Sequence, residues 1–270
     1  MKSKYLKEFV EEIKYNNRNP KDLKALALID DLSTNPEIII ETTESLYRAR
    51  VVDDVKEIGK EKDFYGYGAK QSFVPPPKLA RDLRANYRYI PYLYCANYPY
   101  VAIAEVRPRL GTTVSVATIS VKEPLTLLDF TIRQRPTKMS EAKKNLFDDL
   151  SELFSLPITS DDDIVDYIPT QFVAEYAKYK GYDGIAFSSS VTPEFYDCDP
   201  NRFNVVVFNY NKCEAVKSNV FKIKRTYIES EQIDNDVDRL NINNYVQDEF
   251  ENIESGLDNI IAIQEALLNS

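Results

Sequence analysis

Apolar residues recur at helical spacing from the start of the chain. Residues 3–16 place Tyr5, Leu6, Phe9, Val10 and Ile13 on one face, which predicts an amphipathic helix. Asn19-Pro20 reads as an N-cap followed by proline at the first position of a second helix. That helix carries Leu23, Leu26, Ala27 and Leu32 and stops before Asn35-Pro36, so the first forty residues are expected to form a helical hairpin or a lid. From Ser45 the period shortens to two. Residues 45–51 put Leu46, Arg48 and Arg50 on one strand face and Tyr47, Ala49 and Val51 on the other. A loop rich in Gly, Tyr and Pro follows and ends in the stiff run Pro75-Pro76-Pro77.

Strands are expected at 91–96, 114–121, 125–130, 184–190 and 203–208, and helices at 98–105, 140–154 and 169–180, the last closed by Gly181. Short strands and helices without regular alternation predict an α+β fold. Residues 230–243 are polar and aperiodic, as in a linker. Beyond them Phe250, Ile253, Leu257, Ile260, Ile261 and Leu268 form one stripe of a final helix. That helix either packs on its own domain or joins a partner, including a second copy in a homo-oligomer. The expected organisation is an N-terminal helical segment (1–44), a central domain (45–228) and an acidic linker with a C-terminal helix (229–270).

Charge and composition then remove classes of function. From Glu229 onward there are eleven acids and one base, Arg239, leaving 32 acids and 33 bases before it. A nearly neutral body offers no basic field for nucleic acid. No apolar run approaches the length of a membrane helix, and Met1-Lys2-Ser3-Lys4 leads into no apolar signal core, so a cytoplasmic protein is expected. Cys95, Cys198 and Cys213 are odd in number and widely spaced, which disfavours a disulfide framework and a zinc cluster. The chain has no histidine, which excludes Ser-His-Asp triads, Cys-His nucleophiles and histidine metal sites. Asp161-Asp162-Asp163 reads as a solvated loop or helix start, since adjacent carboxylates do not converge on one ion, and no metal is expected. Nineteen tyrosines and no tryptophan make tyrosine the aromatic surface for a flat ligand.

Five segments stand in a distinctive order: Leu46-Tyr47-Arg48-Ala49-Arg50; Phe73-Val74-Pro75-Pro76-Pro77 with Arg84-Ala85-Asn86; residues 90–96 leading through Ala104-Glu105-Val106-Arg107; Ile168-Pro169-Thr170-Gln171-Phe172 running to Gly184 and Ser188-Ser189-Ser190; and residues 203–208. Together, over roughly residues 45–210, they resemble the RES domain, named for its arginine, glutamate and serine. The resemblance implies a compact fold similar to that of ADP-ribosyltransferases and the toxin half of a toxin–antitoxin pair with an Xre-type antitoxin. It also implies cleavage of NAD⁺ by hydrolysis or phosphorolysis, some members instead transferring ADP-ribose to a protein. NAD⁺ is then the substrate and no cofactor is implied. The family's arginine falls on Arg48, its glutamate on Glu105, its serine on Ser189 and a second arginine on Arg84.

Those residue types suit that chemistry. Breaking the N-glycosidic bond of NAD⁺ passes through an oxocarbenium-like sugar cation, which a carboxylate such as Glu105 stabilises while orienting the acceptor. Nicotinamide leaves as a neutral ring, so no general acid is needed. Arg48 and Arg84 offer planar forks for a pyrophosphate. Ser189 is placed to bond the ribose or the carboxamide, or to hold Glu105. Tyr65, Tyr67 and Tyr94 are candidates to stack on nicotinamide, and Tyr47, on the opposite strand face from Arg48, is a weaker one.

Plainer readings stand beside these. Arg48 is an ordinary surface arginine, or Arg50 on the same face is the true contact. Glu105, in an apolar stretch, pairs with Arg107 or Arg109, or ends a helix in water. The serine run is simply a polar strand end. Three functions compete: an NAD⁺-degrading toxin or effector, an ADP-ribosyltransferase acting on a protein, and a catalytically silent RES-like binding module. Intact Arg48, Glu105 and Ser189 weigh against the last.

Overall fold

The computed structural model describes residues 3–30, 36–52, 66–131, 139–156, 164–191 and 201–226. All of them belong to one compact unit, Met1–Thr226. The expected C-terminal helix and linker, together with Tyr65, Asp161-Asp162-Asp163 and Cys198, lie outside the described residues.

Among those residues eight strands form one sheet in the order β1-β5-β6-β7-β3-β2-β4-β8. They are β1 (Glu37–Ile40), β2 (Ser45–Val51), β3 (Leu93–Ala96), β4 (Thr113–Val121), β5 (Leu125–Asp129), β6 (Gly184–Ser188), β7 (Phe203–Val207) and β8 (Cys213–Lys222). The helices are α1 (Lys4–Glu11), α2 (Lys24–Asp30), α3 (Pro99–Glu105), α4 (Glu141–Ser155) and α5 (Ile168–Tyr179). Apart from the parallel pair β5/β6, neighbouring strands run antiparallel. A largely antiparallel sheet with helices packed on it is the α+β class expected from the sequence.

One face of the sheet packs against α1, α2, α4 and α5. Leu6, Phe9 and Ile13 of the N-terminal segment join Phe130, Phe147, Phe154, Ile185 and Val206 in a single core. Phe130 stacks on Phe154 with ring centroids 5.1 Å apart. The N-terminal helices are thus a layer of the domain, not a lid over it. On the opposite face Leu46, Leu93, Cys95, Ile119, Leu127 and Val205 are covered by Phe73, Val74 and Tyr210. A third cluster seats Val101 and Ala102 of α3 on Ala49, Ala96, Val114 and Val116.

Several local expectations need correction. The second helix starts at Lys24, not at Pro20. The Asn17 side chain takes the Asn19 amide at 2.9 Å, making a local turn where an N-cap was expected. Ala25, Leu26 and Ile29 form its buried face, while Ala27 points to solvent. The segment read as wholly helical also contains β1, which pairs Ile40 with Leu125 and Ile38 with Leu127. Strand β8 escaped the periodicity because it is an edge strand. Only Cys213 on it is buried, and its ladder with β4 shifts register between Thr118 and Ile119.

The sheet is continuous but unevenly laced. β2 pairs with β4 along its whole length, from Ser45↔Ser120 to Val51↔Val114. With β3 it pairs at a single register point, Tyr47↔Ala96. Beyond that point the two strands part, and Arg48 is the next residue on β2.

Gly184 leaves no room for a side chain. A methyl group there would run into the Val206 carbonyl and meet Leu127 Cδ2 at 2.9 Å. Gly184→Ala is therefore expected to destabilise the domain by about 1–3 kcal/mol, as overpacked core sites do. Thermal denaturation of the variant beside the wild type checks this, and an unchanged midpoint would contradict the packing described.

Candidate active site

Glu105 is the last residue of α3, whose first turn begins at Pro99 after Tyr98. The chain leaves the helix through Arg107 at φ 42, a left-handed conformation closed by its amide on the Ala104 carbonyl at 2.9 Å. A carboxylate at a helix C-terminus faces the negative end of the helix dipole, so it needs donors from elsewhere. Two are supplied, both to Oε1. Ser189 Oγ donates at 2.7 Å and Asn204 Nδ2 donates at 2.7 Å. Among the described residues Oε2 carries no hydrogen bond. Among the described residues the hydrogen-bond partners of Glu105 are thus a hydroxyl and an amide and not Arg107 or Arg109, and of the three consecutive serines Ser189 is the one bonded to it.

Each donor is held by its own anchors. Ser189 follows β6 directly and is bracketed by the end of α4: Ser155 Oγ donates to the Ser188 carbonyl at 2.8 Å, and Ser190 Oγ donates to the Ser155 carbonyl. Asn204 lies on β7 between Ala96 of β3 and Phe187 of β6, and is only 6% exposed. The start of β7 is pinned by Asn97, whose Oδ1 accepts the Phe203 amide at 2.9 Å.

Arg48 stands where β2 and β3 part. Its Nη1 is buried and, among the described residues, has no hydrogen-bond partner. Burial pulls its guanidinium below the usual arginine range; Cys95 and Tyr94 act in the opposite sense, and the like charge of Arg50 adds to the lowering. Burial likewise pushes the Cys95 thiol far up, so this cysteine is a neutral core residue and not a nucleophile. Arg50, the competing candidate, is already engaged. It donates to the Gln71 carbonyl and lies over the Tyr67 ring, 3.8 Å from its centroid. Tyr67 is therefore a shelf for Arg50, and its backbone is tied to Ser115 Oγ at 2.8 Å and Ser218 Oγ at 2.7 Å.

Tyr94 is held by its hydroxyl, which donates to Asn86 Oδ1 at 2.7 Å and accepts the Ala85 amide at 3.1 Å. Burial pushes the phenol up, and the charges of both Arg48 and Arg84 pull it back. Arg84 caps the C-terminus of α4, donating from Nη2 to the Leu156 carbonyl at 2.6 Å and from Nη1 to the Leu153 carbonyl. Its guanidinium also lies over the Tyr167 ring at 5.7 Å.

Sequence reasoning missed Asn204, read only as part of a strand, and Gln171, read only as part of a motif. Gln171 Nε2 donates to the carbonyls of Leu83 and Asn86, at 2.9 Å each, which fixes the Arg84-Ala85-Asn86 turn. Among the described residues no group of His, Cys, Asp or Glu could hold a metal ion. No helix among them is long and apolar enough to cross a membrane.

A serine and a glutamate are joined here across 84 residues of sequence. The RES-domain model matches residues 54–228. The chain belongs to the RES-domain family. The matched segment of this RES protein contains Arg84, Tyr94, Glu105, Ser189 and Asn204, and begins past Arg48. No curated protein matches the chain. One chain in the crystal structure of the M. tuberculosis MbcT–MbcA toxin–antitoxin complex aligns over 74% of this RES protein and 93% of its own length, at 17% identity and a TM-score of 0.42.

A buried donor without a partner costs about 1–3 kcal/mol, more when charged. Arg48→Met, which fills similar space without charge, is accordingly expected to raise the stability of the free protein by about that amount. Chemical denaturation of the two proteins tests it. Lower stability of the Arg48→Met variant would mean that the guanidinium has a stabilising partner.

Proposed function

We propose that this RES protein is a toxin that degrades NAD⁺ by cleaving the nicotinamide–ribose bond. The carrying observation is the Glu105 carboxylate, fixed through Oε1 by Ser189 and Asn204, with no hydrogen bond to Oε2 among the described residues. In this reading the C1′–N1 bond of NAD⁺ breaks with its electron pair going to the nicotinamide nitrogen, which leaves as a neutral base. The ribosyl cation that remains is stabilised by the Glu105 carboxylate. Water, or inorganic phosphate, then forms the new bond to C1′. When water is the acceptor it loses its proton to Glu105 or to solvent, giving ADP-ribose.

Arg48 supplies what a dinucleotide needs next. A buried guanidinium with a free Nη1 is suited to a phosphate oxygen, and substrate binding would satisfy the donor that the free protein leaves unpaired. We assign Tyr94, whose hydroxyl is held by Asn86, the role of an aromatic surface for nicotinamide; Arg84 acts by holding the end of α4 and with it Ser155, Ser188 and Ser189. None of these roles requires histidine or a metal, in keeping with the composition. As a toxin the protein would act in the cytoplasm, neutralised by an Xre-type antitoxin.

The test is NAD⁺ consumption by the purified protein, with and without phosphate, beside Glu105→Gln. Release of free nicotinamide by the wild type is expected. Its rate should fall at least about a hundredfold in the variant, in line with loss of one electrostatic stabiliser. Dependence on phosphate would identify phosphorolysis. Undiminished turnover by Glu105→Gln would refute the role of the carboxylate. Absence of turnover under either condition would refute NAD⁺ degradation and direct attention to ADP-ribosyl transfer onto proteins.

A further inference from the structure

We infer that Asn204 is a positioning residue for the proposed reaction: with Ser189 it selects Glu105 Oε2 as the oxygen that faces the ribose. This rests on the NAD⁺ reading above and deepens it. The two donors reach the same oxygen, each at 2.7 Å, from segments that are not otherwise adjacent in sequence. A carboxylate bound by one donor still swings about its terminal torsion, which is broad and two-fold. Two donors converging on Oε1 from different elements remove that freedom and distinguish the two oxygens.

The placement of Asn204 is rigid. It is buried on β7, with hydrogen-bonded strands on both sides, and β7 is pinned at its start by Asn97. Its strand neighbours Val205, Val206 and Val207 are fully buried and apolar, so Asn204 is the polar exception in an otherwise apolar strand. A buried amide in such a strand is costly unless bonded, and its Nδ2 is bonded to the Glu105 carboxylate. Asn204 differs from Ser189 in one respect. Ser189 sits after its strand has ended, where the chain has more latitude, whereas Asn204 is inside a central strand and sets the reference against which Glu105 is held.

The experiment combines kinetics with a readout that does not need turnover. Asn204→Ala removes the donor; Asn204→Asp keeps the volume and replaces the donor with a second acceptor. Both are expected to lower kcat, by about tenfold to a hundredfold for loss of a hydrogen bond to a charged group, with KM changed less than about twofold. Asn204→Asp is the more severe, because two carboxylate oxygens would face each other. In a Glu105→Gln background Asn204→Asp should cost nothing further, since its effect runs through Glu105. Losses that simply multiply across the two sites, or that appear in KM alone, would overturn the inference.

In parallel, the Asn204 side-chain amide signals in ¹⁵N NMR of the substrate-free wild type should move on Glu105→Ala; signals that stay fixed would overturn it as well. If the wild type does not consume NAD⁺ but those signals move, the NAD⁺ reading fails, and so does the claim that Oε2 faces a ribose, while the contact stands. If the wild type is active and the signals do not move, the NAD⁺ reading stands and Asn204 has no part in it.

Discussion

Three stretches of chain meet at one carboxylate oxygen. Glu105 ends a helix, Ser189 follows one strand and Asn204 lies within its neighbour, and the two hydrogen bonds to Oε1 tie the helix end to that strand pair. Much of the surrounding architecture serves that junction. Pro99 starts α3 and hydrophobic contacts of Val101 and Ala102 seat it on the sheet, so that its seven residues end at the right height. Ser155 at the end of α4 fixes the serine run, and Arg84 in turn fixes the end of α4. Withdrawing any of these supports leaves a carboxylate at the unfavourable end of a helix dipole with fewer donors to compensate.

The sequence carried the local half of this arrangement. The alternation in residues 45–51 located β2, and the long amphipathic patterns located α4 and α5, because those signals come from each segment's own burial. Glu105 and Ser189, which the structure joins by a hydrogen bond, were both singled out by their order in a motif. What escaped depended on contacts between distant residues. Asn204 is one polar letter in an apolar strand and acquires meaning only when β7 lies beside β3. Gln171 likewise reads as helix until its amide is seen across 85 residues on the Asn86 carbonyl. β1 and β8 were missed because edge strands need not alternate, and the contact of Arg50 with the Tyr67 ring was not legible because the two residues lie apart in the chain.

The two arginines on β2 show how neighbours of identical chemistry are set to different tasks. Arg50 is satisfied by a carbonyl and a ring, so it braces the loop that follows β2. Arg48, two residues earlier on the same strand face, is left with a buried nitrogen unsatisfied. The difference arises from what lies opposite each side chain and not from the side chains. A domain that keeps such a cost in its core sacrifices some stability, as functional sites commonly do.

The parting of β2 from β3 after Tyr47 and Ala96 has a consequence for the protein's behaviour among its neighbours in a crowded cell. An unpaired strand margin is normally a surface hazard, a template on which another chain can grow. Here the margin lies inside the sheet, with β4 on one side and β7 on the other, and α3 packs across it. The stretch beside Arg48 is thereby withheld from foreign strands. The fold gains a gap between two strands in its interior while avoiding the aggregation that the same gap would invite at its rim.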